Sequence, residues 1–232
     1  MTDTQELVKA LYHTEAGEPI ILSGGQDYIF RSIAMKETPR LHIMCHTRFG
    51  KSLTTGLAVL TRASTFPEKW AIIAGTKDKA KIIMDDVIAH IFDNDFTKDR
   101  FMPEKGDTAA DVRRYRNKNR VSFKIPGGDN QFGEIFIGNA KDALGFGAPN
   151  VILDEAALVP DNEYSLVLRM LGDNPHENFM AKIGNPFTRG HFLNSYHDKT
   201  YRKVKIDCYQ SLAEGRMTQE TIDENRPFPY FG

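Results

Sequence analysis

Residues 41–60 read Leu41-His42-Ile43-Met44-Cys45-His46-Thr47-Arg48-Phe49-Gly50-Lys51-Ser52-Leu53-Thr54-Thr55-Gly56-Leu57-Ala58-Val59-Leu60. Leu41 to Met44 is short and apolar, which predicts a buried strand. Leu53 to Leu60 predicts a helix. Strand, turn, Gly-Lys-Ser, helix is the setting of a phosphate-binding loop. The first turn of a helix carries unpaired N–H groups and the positive end of the dipole, so it attracts phosphate. Gly50 lets the backbone approach a ligand closely. Lys51 is placed to reach β- and γ-phosphates, and the Ser52 hydroxyl to ligate Mg²⁺. The stretch departs from G-x-x-x-x-G-K-[ST] at one place, where Cys45 stands instead of glycine.

A second stretch supports the first. Val151-Ile152-Leu153-Asp154-Glu155 is an apolar strand that ends in two carboxylates. An acid at such a strand end holds Mg²⁺ directly or through water. That role falls to Asp154, and Glu155 follows as the candidate general base for an attacking water.

Between and around these stretches, apolar strands alternate with helices. Strands are predicted at Trp70–Ala74, at Phe179–Ile183, and from Arg202 to Tyr209, where Val204, Ile206 and Cys208 share one face. Val121–Ile125 and Glu134–Ile137 form a pair about the turn Pro126-Gly127-Gly128-Asp129-Asn130. Helices are predicted at 4–13, at Asp27–Ile33, at 77–92 (with Ile82, Ile83, Val87, Ile88 and Ile91 at helical spacing) and at 161–171, with a short one in the tail after Arg216. Gly138 to Asn150 is irregular. This alternation implies a largely parallel sheet covered on both faces, with ligand at the carboxyl ends of the strands.

The 232 residues, 41% hydrophobic and 26% charged with net charge −1, suit one α/β domain. Near-neutrality argues against a dominant basic surface but leaves room for local patches. No apolar run approaches the roughly 20 residues of a membrane helix. The polar, acidic start Met1 to Glu6 is no signal peptide. Two cysteines, Cys45 and Cys208, indicate no disulfide framework and fit a reduced intracellular setting. Arg113-Arg114-Tyr115-Arg116-Asn117-Lys118-Asn119-Arg120 is the most basic stretch; it suits either DNA phosphates or a solvated surface. Asp93, Asp95 and Asp99 lack the glycine and closing glutamate of a calcium loop. His191 and His197 lack a third metal ligand. Gly145 and Gly147 make no dinucleotide fingerprint.

Taken together, Arg48-Phe49-Gly50-Lys51-Ser52, Leu153-Asp154-Glu155-Ala156-Ala157, Gly184-Asn185-Pro186, Gln26 and the tail Gly215 to Ile222 resemble the N-terminal ATPase domain of phage large terminases, the motors that package viral DNA. The resemblance covers nearly the whole chain. It implies a P-loop NTPase of the ASCE type, with a mainly parallel central sheet flanked by helices, over residues 1–232. Residues 1–38 would be an N-terminal lead carrying the adenine motif, and 216–232 the start of a linker. It implies ATP and Mg²⁺ as cofactors. His46, Thr47, Arg48, Phe49, Gly50, Lys51, Ser52 and Leu53 would wrap the nucleotide, with Arg48 and Lys51 at the γ-phosphate and Gln26 reading the adenine edge. Ser52 and Asp154 would hold the metal and Glu155 would activate water. Gly184, Asn185 and Pro186 would couple hydrolysis to DNA movement. The implied partners are double-stranded DNA, a portal protein, a small terminase subunit and further copies in a ring, in the host cytoplasm and without a membrane.

Two departures stand out. The family often carries an arginine finger before the acidic strand, where this chain has Ala143-Leu144-Gly145; either Lys141 substitutes, or Arg113, Arg114 or another arginine serves, or Arg48 acts in cis. The family also carries a C-terminal nuclease domain, whereas this chain stops at Gly232, near the expected linker, so no nuclease activity is assigned to it. A helicase-like DNA-dependent NTPase core and a degenerate nucleotide-binding scaffold are the alternative readings.

Overall fold

The computed structural model describes residues 3–46, 48–103, 119–127, 131–143, 145–172, 177–185 and 190–225. Thr47, Leu144, Pro186, Arg113 to Lys118, Gly128 to Asn130 and the tail beyond residue 225 lie outside the described residues.

Strands form at Arg40–Cys45 (β1), Lys69–Ala74 (β2), Arg120–Lys124 (β3), Phe132–Gly138 (β4), Asn150–Asp154 (β5), Phe179–Gly184 (β6) and Arg202–Ile206 (β7). They make one sheet in the order β3-β4-β2-β5-β6-β1-β7. All neighbours are parallel except β3 and β4, whose antiparallel pairing sets Val121 opposite Ile135. β6 therefore lies between the strand that leads into the phosphate loop and the strand that ends in the acids. This inserted strand brings Gly184-Asn185 to the same sheet end as both motifs.

The helices are Thr4–Leu11 (α1), Gly24–Ala34 (α2), Lys51–Thr65 (α3), Lys77–Ile91 (α4), Asp95–Lys98 (α5), Asp161–Met170 (α6), His191–His197 (α7), Cys208–Ala213 (α8) and Gln219–Asn225 (α9). Side chains alternate across the sheet because the strand period is two. Ile43, Ile72, Ile152 and Ile183 point into one core layer, under α1 to α4. Ile73, Leu153, Val151 and Met180 point into the other, with Val167, Met170 and Phe192 of α6 and α7. Each fully buried aliphatic side chain of this kind contributes about 2 kcal/mol. Two buried faces explain why the central strands read as continuous apolar runs.

Two expectations need correction. The last strand stops at Ile206, and Cys208 opens α8 instead of extending the strand face. Asp207 causes this, because its carboxylate accepts the Gln210 N–H and caps a new helix. Ile82 is 60% exposed, since the buried stripe of α4 runs through Ala80, Ile83, Met84, Val87, Ile88 and Ile91. No helix was expected at α7, which follows Gly190 at φ 123°.

α7 covers a polar strip of the sheet. His42 is fully buried and its Nδ1 lies 2.9 Å from Ser195 Oγ of α7. Burial, then the Lys182 and Lys203 charges, hold His42 down to a pKa of about 4. The folded state thus prefers the neutral ring, while the unfolded chain takes up a proton near pH 6.5. Stability is present above that pH and is lost as pH falls from 6.5 toward 4. Thermal melts across this window should show a His42→Gln variant with a flatter profile than the native chain, by about 2 kcal/mol at the acid end. Parallel profiles would remove His42 as the cause.

Candidate active site

The loop expected to bind phosphate is built by the junction of β1 and α3. Gly50 is the residue before α3 and sits in the left-handed region at φ 86°. A Cβ there would also press on Gln26 Nε2 and force that side chain to shift. The first helical bond runs from Thr54 N–H to the Gly50 carbonyl, and no side chain caps the helix start. The N–H groups of Lys51, Ser52 and Leu53 are therefore left for a ligand. Fifteen residues of α3 align their dipoles behind them.

Cys45, the departure from the motif, is the last residue of β1 and is 2% exposed. Its position belongs to the strand, not to the open part of the loop. Burial pushes its thiol up to about 12, so it stays neutral. Cys45 and Cys208 are both buried, and neither is in a disulfide.

The acids meet this loop directly. Lys51 Nζ lies 2.8 Å from Glu155 Oε1, and Ser52 Oγ donates to Asp154 Oδ2 at 3.0 Å. Lys51 is 5% and Asp154 2% exposed. Burial works against the charge on Lys51, but the hydrogen bond and charge of Glu155 outweigh it and hold the ammonium above its ordinary range. Burial pushes Asp154 up, against the pull of Lys51. Glu155 itself sits at φ 49°, ψ 46°, a left-handed conformation that costs a non-glycine residue about 1 kcal/mol. That turn swings its carboxylate off the strand line and toward Lys51. Gly184 of β6 packs behind it, so closely that a Cβ would meet the Ala156 nitrogen at 3.1 Å and Glu155 Cα at 3.3 Å.

The residues present fit a magnesium ion. Asp154 Oδ1 and Glu155 Oε2 are buried with no hydrogen-bond partner. A divalent cation beside Ser52 Oγ and Asp154 would satisfy the orphaned Asp154 oxygen and relieve the burial cost of its charge. Among the described residues, no group of three or more His, Cys, Asp or Glu could hold a metal. Mg²⁺ takes one or two protein oxygens plus phosphate and water, and Ser52 and Asp154 offer two.

Other expected residues fall as follows. Phe49 is fully buried, with its ring edge-on to His46 at 5.6 Å. Arg48 is exposed at φ 66°, outside the buried cluster. Asn185 is half-buried at the end of β6. Lys141 pairs with Glu163 at 3.4 Å. Gln26 is 3% exposed, and its amide faces the chain rather than an open cleft: Oε1 accepts from Ser23 N and Arg216, and Nε2 donates to the Phe49 carbonyl. An adenine edge would have to displace those bonds.

Two residues escaped the sequence reading. Lys79, on the first turn of α4, brings its Nζ to 4.0 Å from Glu155 Oε1. Arg216 reaches Gln26 at 2.7 Å. Lys79 had one signal, a cation just after a core strand that ends beside the acids. Arg216 had none.

No protein-family model matches the sequence, and no curated protein matches it. Solved structures do match. The large terminase ATPase domain of Thermus phage P74-26 superposes with a TM-score of 0.64 at 16% identity, covering 86% of this chain and 87% of that one. The large terminase of the thermophilic bacteriophage D6E, solved in complex with ATP-γ-S, gives 0.60 at 12% identity over 88% of this chain. This chain spans 49% of that one. The UvsW helicase of bacteriophage T4 gives 0.55 at 14% identity, over 87% of this chain and 66% of that one. The fold is that of the ATPase domains of phage large terminases, an α/β P-loop NTPase fold. Among the described residues, no helix is long and apolar enough to cross a membrane.

Proposed function

We propose that this chain is an ATP-hydrolysing motor domain that drives double-stranded DNA into a viral procapsid. The observation that carries the proposal is the convergence of Lys51 with Glu155 and of Ser52 with Asp154, at 2.8 and 3.0 Å. Two motifs far apart in sequence meet in one buried cluster at the carboxyl end of the sheet.

In the proposed reaction, the amides of Lys51, Ser52 and Leu53 cradle the phosphates and Lys51 reaches the γ-phosphate. Ser52 and Asp154 would hold Mg²⁺, which would supply neutralisation of the phosphate charge. A γ-phosphate competes with Glu155 for Lys51. Glu155 is thereby released to orient water and take its proton, with the Lys79 ammonium 4.0 Å from its carboxylate. Arg48, exposed at the mouth of the loop, contacts the γ-phosphate or a neighbouring subunit. Gly184 ends β6 within the coupling segment Gly184-Asn185-Pro186, and its packing against Glu155 gives hydrolysis a direct mechanical path to that segment. Residues 1–232 act as one motor unit, with 216–232 leading toward a linker. The partners are DNA, a portal protein, a small terminase subunit and further copies in a ring, in the host cytoplasm.

The test is phosphate release from ATP with Mg²⁺, with and without linear duplex DNA. Turnover that depends on Mg²⁺ and rises with duplex DNA is expected. ATP binding with no turnover under any of these conditions would favour a degenerate scaffold. The likeness to a helicase keeps one other reading open, a helicase-like DNA-dependent NTPase core; strand separation by the chain alone would favour it.

A further inference from the structure

The nucleotide loop is held from an unexpected side. Gln26 Nε2 donates to the Phe49 carbonyl at 2.9 Å. In a planar trans peptide the carbonyl and the following N–H point in opposite directions. Fixing the Phe49 carbonyl on Gln26 therefore turns the Gly50 N–H the other way, away from Gln26. Gln26 is fixed in turn by Ser23 N–H at 3.0 Å and by the Arg216 guanidinium at 2.7 Å, both on its Oε1. The same C-terminal segment makes two more attachments. Glu214 Oε1 accepts the Gly25 N–H at 2.9 Å, and Ser211 Oγ lies 2.6 Å from His46 Nε2.

We infer that Gln26 is a strut of the phosphate loop and not a reader of the base, and that Arg216 holds this strut, so that the seating of the segment after β7 sets nucleotide affinity. The inference rests on the proposal that the loop binds nucleotide. Gln26 and Arg216 are positioning residues, acting through the backbone at Phe49–Gly50. A buried amide committed to three bonds orients a peptide but discriminates poorly between adenine and guanine. A segment that follows the last strand is well placed to report the position of whatever it is tethered to.

Calorimetry with ATP-γ-S and GTP-γ-S, each with Mg²⁺, tests this in the native chain, Gln26→Leu, Arg216→Met and the double variant. The strut predicts that Gln26→Leu weakens both nucleotides by the same factor, about tenfold. Arg216→Met, an exposed side chain whose loss leaves the core intact, weakens both severalfold, and the double variant is no weaker than Gln26→Leu alone. Loss of an ATP preference with GTP-γ-S affinity unchanged, or a silent Arg216→Met, overturns the inference. Hydrogen exchange in nucleotide-free protein reads the strut separately. Amides of residues 48–53 should exchange faster in both variants, and unchanged exchange overturns the strut. Should the native chain bind neither nucleotide, the proposed function falls while the exchange data still decide the strut.

Discussion

Glu155→Gln should reduce ATP turnover by about 10²–10⁴-fold while leaving ATP binding in place. The amide keeps the shape of the side chain and can still accept from Lys51, so the loop is not disturbed. It cannot take a proton from water. The native geometry explains why the loss should fall on turnover rather than affinity. Glu155 meets the loop through Lys51, at 2.8 Å, and a bound γ-phosphate would take over that contact. Removing the charge of Glu155 removes a competitor for Lys51, so affinity should rise or hold. Single-turnover kinetics alongside equilibrium binding separate the two effects. Turnover within a few-fold of native would take Glu155 out of the reaction.

Lys51→Ala should have the largest combined effect, abolishing nucleotide binding and lowering stability in a pH-dependent way. The ammonium is the charge that partners Glu155 and restrains the upward shift of Asp154. Without it, two carboxylates meet at a buried strand end, with Lys79 left 4.0 Å from Glu155. The cost is up to about 3 kcal/mol, at the low end for a broken buried pair because Lys79 remains. The sign follows from Asp154. Its folded pKa is already raised by burial and rises further without Lys51. A carboxyl with a raised folded pKa favours folding below its unfolded pKa and loses that contribution as pH rises. The melting deficit of Lys51→Ala should therefore be small near pH 4 and grow toward pH 8. A deficit that is flat with pH would mean that the acids do not depend on Lys51.

The elements that bring Lys51 to Glu155 and Ser52 to Asp154 were legible because they are local to short motifs. Gly50-Lys51-Ser52 follows an apolar run and opens a helix; Asp154-Glu155 closes one. Run length, period and stop residues fix such elements from neighbouring sequence alone. The position of β6 between β5 and β1 was not legible, since strand order depends on packing across the whole sheet. Cys208 was placed on the wrong element because alternation was followed past Asp207, a cap whose signal was available. Ile82 was drawn into the stripe of α4 by its apolar side chain, although Ala80 and Met84 define the buried face. Gln26 was found by its position before the loop. Its bonds to Phe49 and Arg216 could not be, because they join residues distant in sequence through a side chain with no pattern of its own. The same is true of Lys79.

The most direct measurement is a structure of the Glu155→Gln protein with ATP and Mn²⁺, the metal located by its anomalous scattering. The account predicts the triphosphate on the amides of Lys51, Ser52 and Leu53, Lys51 turned onto the γ-phosphate, and the metal beside Ser52 Oγ and Asp154. A triphosphate bound elsewhere, or a metal remote from Asp154 with Lys51 still on residue 155, would contradict it.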